Sequence, residues 1–161
     1  MGKNKTNKKL WKKGENSVAV VMISLNEAHN MQRILENLSG WANEVFLVDS
    51  YSKDHTIDIA LEFGVHVVQR EFKGFGDQWN FALKNLPIQS KWTMKLDPDE
   101  ELTDKLKKQI SLKTSSNQTD NLIISRKLWF MGAPIPISQD ILRVWPTGMC
   151  EFSNVIVNEY P

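Results

Sequence analysis

From residue 17 onward, short apolar runs alternate with stretches whose apolar residues recur every three or four positions. Residues 17–24, Ser-Val-Ala-Val-Val-Met-Ile-Ser, are apolar on both sides of the pleat, the pattern of a strand buried on both faces. Met31, Ile34, Leu35 and Leu38 follow at i, i+3, i+4 and i+7, which predicts a helix that Asn26 can cap and Gly40 ends. A second apolar run, 44–49, finishes in Asp49. Ser52, Lys53 and Asp54 then open a helix through Ile57, Ala60, Leu61 and Phe63, with Gly64 placed as its C′ residue. Residues 65–68 read as a third strand. Trp79, Ala82, Leu83 and Leu86 mark a helix stopped before Pro87, and 92–96 is a fourth strand. This alternation predicts parallel strands joined by right-handed crossovers, with helices on both sheet faces.

The second half is less regular. A charged helix is expected over 103–112, then a polar run to 121, strands at 122–130 and 141–145, and a further strand at 152–157. Residues 131–139 hold Gly132, Pro134 and Pro136 and read as an irregular loop that can join a site. Residues 1–16 carry six Lys and few apolar groups, too little apolar surface to order themselves. They read as a solvated, disordered tail, with a polybasic contact to an anionic membrane as the functional alternative, at about 1 kcal/mol per Lys. No apolar run of secretory-signal length follows them.

Composition narrows the classes. A chain of 161 residues can bury roughly 70% of its unfolded surface around one core. A net charge of +1 argues against a dedicated nucleic-acid binder. The lone Cys150 excludes an internal disulfide and a Cys-based zinc site, and it fits a reducing compartment. None of the three His residues has metal-ligand spacing to another.

The sharpest local feature is Leu96-Asp97-Pro98-Asp99-Glu100, which follows the fourth predicted strand. Two carboxylates one residue apart, stiffened by Pro98, make a hard oxygen site suited to Mg²⁺ or Mn²⁺ bridged to a substrate phosphate. The same acids also suit the start of the helix that follows, with no metal at all. Polar groups gather at the other strand ends too: Ser24-Leu25-Asn26-Glu27 and Asp49-Ser50-Tyr51-Ser52. Ligands of open parallel sheets bind at those carboxyl ends. There is no Gly-x-Gly-x-x-Gly after the first strand and no Gly-Lys-Ser/Thr, which weighs against dinucleotide and P-loop triphosphate sites.

Four segments carry a resemblance: Ile23-Ser24-Leu25-Asn26-Glu27; residues 41–56, from Trp41-Ala42-Asn43-Glu44 through Asp49-Ser50 to Asp54-His55-Thr56; residues 71–83, with Gly74-Phe75-Gly76-Asp77-Gln78-Trp79-Asn80; and residues 96–100. In this order they resemble family 2 glycosyltransferases, especially the bacterial branch similar to lipopolysaccharide-core glycosyltransferases, from about residue 17 to the C-terminus. The resemblance implies an α/β, GT-A (nucleotide-diphospho-sugar transferase, Rossmann-like) three-layer sandwich with a mostly parallel central sheet. It implies that Asp49 bonds the nucleotide base and that Ser24, Asn26 and Glu27 line the nucleotide pocket. Gln78 and Asn80 would approach the ribose or diphosphate, Asp97 the ribose or sugar, and Asp99, with Asp97, the divalent metal, Mg²⁺ or Mn²⁺.

An inverting transferase needs a carboxylate base for the acceptor hydroxyl. By the resemblance this is Asp140, before Ile141-Leu142-Arg143-Val144-Trp145, with Glu159 as rival; Glu100 could instead orient the acceptor. The chain departs from the family at Arg143-Val144-Trp145-Pro146, which has lost cations, at Trp79, which replaces a commonly basic residue, and at Asn158, where relatives have His. The expectation is a metal-dependent, inverting enzyme that moves a sugar from a nucleotide-sugar, with UDP-sugars leading, to lipopolysaccharide or a related surface glycan or glycolipid. It would act in the cytoplasm, peripherally at the inner face of the membrane, without nucleic acid. Residues 17–161 would form the domain, with an incomplete, C-terminally truncated acceptor side. The alternative is a non-catalytic nucleotide-sugar-binding or scaffold protein.

Overall fold

The computed structural model describes residues 11–116 and 119–153. Ten elements follow in order: β1 (Val18–Ser24), α1 (Ala28–Leu38), β2 (Glu44–Asp49), α2 (Thr56–Phe63), β3 (His66–Gln69), α3 (Phe75–Asn85), β4 (Trp92–Lys95), α4 (Asp104–Ser115), β5 (Leu122–Phe130) and β6 (Ala133–Pro146). They build one six-stranded sheet in the order β3-β2-β1-β4-β6-β5. The first four strands are parallel, while β6 runs antiparallel to both β4 and β5. The mostly parallel α/β architecture is the expected one.

Strand alternation divides the core. Val18, Val20 and Met22 of β1 and Val45 and Leu47 of β2 face α1, α2 and α4, where Met31, Ile34, Leu35, Ala60, Phe63 and Ile110 cover them. Ala19, Val21, Phe46 and Val48 face the other way, toward Trp79 and Ala82 of α3, Trp145 and Phe152. Both faces of β1 are therefore dry, which is why residues 18–22 lack any polar side chain. Gly64 takes φ +79 at the end of α2, the left-handed turn expected of a C′ glycine.

Several local expectations change. Asn26 does not cap α1; its residue sits at φ 57, and the cap position falls to Glu27. The first amides of α1 are satisfied from the next loop instead: Glu27 N–H donates to Thr56 Oγ1 at 2.8 Å and Ala28 N–H to Asp54 Oδ2 at 3.1 Å. The helix expected over 103–112 runs on to Ser115, with Thr103 Oγ1 accepting from Leu106 N–H at its start. Residues 11–16 are not a disordered tail. Trp11 N–H donates to the Phe63 carbonyl, Gly14 N–H to that of Ala42, and the Trp11 ring lies against the core.

The largest correction concerns 131–139. These residues are not a loop: 133–139 belong to β6, and only Met131 and Gly132, both at positive φ, make the turn back from β5. Pro134 and Pro136 are tolerated because β6 pairs with β4 only over 144–146, leaving one edge of its distal part without a strand neighbour among the described residues. Of the strand expected at 152–157, Phe152 and Ser153 are irregular and the remainder lies outside the described residues.

Candidate active site

At the carboxyl ends of the first three strands of the sheet, Ser24, Asp49 and Gln69 stand side by side in register. Asp49 is fully buried. Its Oδ1 accepts from Ser24 Oγ at 2.9 Å and from Ser52 Oγ; its Oδ2 accepts from Ser52 N–H at 2.8 Å and Gln69 Nε2 at 3.4 Å. An ionised carboxylate offers about four lone-pair sites, so all are taken, the bond to Gln69 being the longest. Ser52 belongs to the polar run expected after β2, but Gln69 was not singled out in the sequence; only strand register brings it to this row.

The loops after β1 and β2 are stitched together. Asn26 N–H donates to Ser52 Oγ and its Oδ1 accepts from Lys53 N–H, both at 2.8 Å. Asp54 accepts from the N–H and hydroxyl of Thr56, and that side-chain bond holds its carboxyl below the usual carboxylate range. Glu27 is half-buried and accepts from Asn30 Nδ2 at 2.8 Å. From α3, Gln78 is fully buried and donates from Nε2 to Ser50 Oγ at 3.1 Å, while its Oε1 has no partner among the described residues. Asn80, on the same helix, is engaged with the segment after β6: its amide donates to the Phe152 carbonyl and accepts the Phe152 N–H, each at 2.8 Å, clamping that segment. Trp79 is buried in the core beside Phe152, with Lys95 Nζ 4.7 Å above its ring.

The acidic turn leaves β4 two residues beyond Lys95. Glu100 N–H donates to the Asp97 carbonyl at 3.0 Å, and Asp97 N–H donates to Glu100 Oε2 at 3.1 Å, closing the turn from both ends. Pro98 is buried and Asp99 exposed. On the other side, Arg33 of α1 donates to the Asp99 carbonyl at 3.2 Å. Two arginines converge on the turn. Arg143, 4% exposed, reaches Asp97 Oδ2 at 3.4 Å and also bonds Glu100 Oε1; Arg126 bonds Glu100 Oε1 at 3.1 Å and lies 4.0 Å from Asp97. Burial pushes the Glu100 carboxyl up; Arg143 pulls it down and Asp97 raises it again.

Asp97 and Asp99 place two carboxylates on one strand-end turn, a donor type that would suit an ion completing its shell with phosphate and water. Among the described residues no three His, Cys, Asp or Glu side chains cluster into a metal site of their own. Asp140 sits within β6 rather than on a loop; it is exposed, and its Oδ1 accepts from Ser125 Oγ across the ribbon. Glu159 and Asn158 lie outside the described residues. Burial pushes the Cys150 thiol up to about 11, away from the range of reactive thiolates.

A mostly parallel sheet with polar side chains gathered at its carboxyl edge, and an acid pair beside them, defines an α/β transferase domain of the GT-A type. The model for glycosyl transferase family 2 matches residues 19–135, and the chain belongs to that family. An uncharacterized glycosyltransferase of Rickettsia bellii is 33% identical over 115 residues, 71% of this chain and 38% of that protein. One from Rickettsia felis is 32% identical over 71% of this chain and 40% of its own length. The matched region thus spans well under half of these relatives. Among solved structures, S. aureus TarS 1–349 superposes with TM-score 0.54 at 16% identity, covering 81% of this chain and 47% of that one. Its complex with UDP-GlcNAc gives TM-score 0.52 at 21% identity, covering 61% and 31%.

Proposed function

We propose that this domain transfers a sugar from a nucleotide-sugar, a UDP-sugar first, to a glycan or glycolipid acceptor of the bacterial envelope, lipopolysaccharide or a relative, with inversion and a divalent ion. The observation that carries the reading is the convergence of the Ser24–Asp49–Gln69 row and the Asp97–Asp99 turn on one sheet edge. TarS, similar in fold, is described in complex with UDP-GlcNAc, which makes that sugar nucleotide the first donor to test.

In this reading Asp97 and Asp99 hold Mg²⁺ or Mn²⁺, which supplies charge neutralisation for the departing nucleoside diphosphate. Ser24, Asn26 and Glu27 line the nucleotide pocket, and Gln78 offers its unpartnered Oε1 to a ribose hydroxyl. Asp49 meets the base by exchanging its longest hydrogen bond, that from Gln69. Asp140 takes the acceptor's proton, with Glu159 as the rival base. The Lys-rich N-terminal residues add a salt-sensitive contact with anionic membrane at its inner face, at about 1 kcal/mol per Lys. No helix among the described residues is long and apolar enough to cross a membrane.

The test is calorimetric titration of UDP with and without Mn²⁺ into wild-type protein and Asp99→Asn. An amide is a much poorer ligand for a hard cation than a carboxylate, so the metal-dependent part of the affinity should vanish in the variant while its melting curve stays put. Equal metal-dependent affinity in both proteins removes Asp99 from the metal site. Nucleoside diphosphate release from UDP-GlcNAc in the presence of an envelope-glycan extract separates a transferase from a donor-binding scaffold.

A further inference from the structure

A β-bulge delivers one of the two arginines to the acidic turn. Leu122 of β5 faces Val144 of β6, but the next residue, Ile123, faces Leu142, so Arg143 is the extra residue with no partner opposite. Bulges re-aim side chains and are found next to active sites. Here the bulge coincides with a guanidinium that is almost wholly buried and touches both Asp97 and Glu100. Arg126 comes from the neighbouring strand and is one-third exposed; its second nitrogen also bonds Gln139 across the ribbon. The cluster is balanced: Asp97 and Glu100 against Arg126 and Arg143. Glu100 stands at its centre, because one carboxylate oxygen accepts from both arginines while the other accepts the Asp97 N–H.

We propose that Arg143 and Arg126 are positioning residues that lock the Asp97 carboxylate and backbone through Glu100, tying the donor-side acidic turn to the β5–β6 ribbon. The proposal rests on the reading of that turn as the donor and metal site. Removing Arg143 leaves two partly buried acids beside Asp99 with one cation among them, and the turn loses the group that fixes Asp97 at the angle a shared metal and diphosphate require. Groups that orient metal ligands are worth about 10–100-fold in metal affinity or activity. A planar guanidinium can fork between two carboxylates, whereas an ammonium acts as a point charge and does not reproduce that geometry.

The experiment compares wild-type protein, Arg143→Met, Arg143→Lys and Arg126→Met by titration with UDP plus Mn²⁺ and, separately, with uridine alone. Circular dichroism and melting curves identify the folded variants. Arg143→Met is expected to weaken Mn²⁺-dependent UDP binding by about 10–100-fold and to leave uridine binding as it was. Arg143→Lys should stay close to the Met variant, since it keeps the charge and loses the fork. Full recovery in Arg143→Lys would reduce the effect to charge and overturn the positioning role. Unchanged Mn²⁺-dependent affinity in a folded Arg143→Met, or an equal loss for uridine, would overturn it as well. Should Arg143→Met fail to fold, Arg126→Met decides: a loss confined to the metal-dependent arm supports the proposal, and no loss ends it. A wild-type protein that binds UDP under neither condition overturns the donor reading itself, and this proposal with it.

Discussion

The β1–β4 half and the β5–β6 ribbon both carry large apolar side chains but bury them very differently. In the first half, residues 18–22 and 45–48 are essentially inaccessible, sandwiched between helices on both faces. In the ribbon, Trp129, Phe130, Ile137 and Met131 stand 55–90% exposed. The difference is one of neighbours: helices α1 to α4 cover the parallel strands, and among the described residues nothing covers the distal ribbon. The rigid half holds the row of Ser24, Asp49 and Gln69, and the ribbon reaches the site through its arginines and, in the proposed reading, through Asp140.

The comparison is most sharply tested by paired truncations. Trp79→Ala in the core should cost about 3–5 kcal/mol in chemical denaturation, whereas Trp129→Ala on the ribbon should stay within about 0.5 kcal/mol. Similar costs would mean that the ribbon is covered in solution. Asp140→Asn should then show the opposite balance, with unchanged stability and donor affinity but turnover lowered ~10²–10⁴-fold. If turnover survives there and falls instead in Glu159→Gln, the base lies beyond the ribbon.

Asp49→Ala should cost an intermediate amount. It leaves the Ser24 and Ser52 donors and the Gln69 amide without their acceptor, at about 1–3 kcal/mol for unsatisfied buried groups. Uridine affinity should fall with or without metal, and a loss confined to the metal-containing titration would move Asp49 into the metal's surroundings. The smallest effect is in pH. Because burial raises the folded-state pKa of Glu100 above its ordinary value of 4.5, the folded protein binds that proton more tightly than the unfolded chain. Its contribution to stability is therefore complete below about that value and is lost as pH rises through the raised folded one. Urea midpoints of wild-type protein and Glu100→Gln should diverge in favour of the variant across this window; parallel curves would show that the two arginines balance burial.

How much of this was legible beforehand follows from how local each feature is. The alternation of apolar runs with i, i+3, i+4 spacing is written within each segment, and it placed all four parallel strands and the helices between them to within a few residues. Gly64 ended α2 because a left-handed turn is a property of one residue and its immediate neighbours. Asp97, Asp99 and Asp49 stood out because strand ends in a parallel sheet share one edge whatever the details of packing. The clamp that Asn80 makes was not legible, because its partner, Phe152, lies 72 residues away. Residues 131–139 of the ribbon read as a loop because Pro and Gly ordinarily break a strand, and among the described residues the missing neighbour on one edge of β6 makes room for Pro134 and Pro136.

The sequence by itself determined the parallel α/β core, its acidic turn and the family to which they belong, since these depend on local periodicity and short motifs. Tertiary structure alone decided that Gln69 completes the Asp49 row, that α1 is capped by Asp54 and Thr56 from another loop, and that a one-residue bulge turns Arg143 onto Asp97 and Glu100. Those outcomes depend on strand register and on contacts 20–46 residues apart along the chain, where the relevant energies arise only after the sheet has assembled.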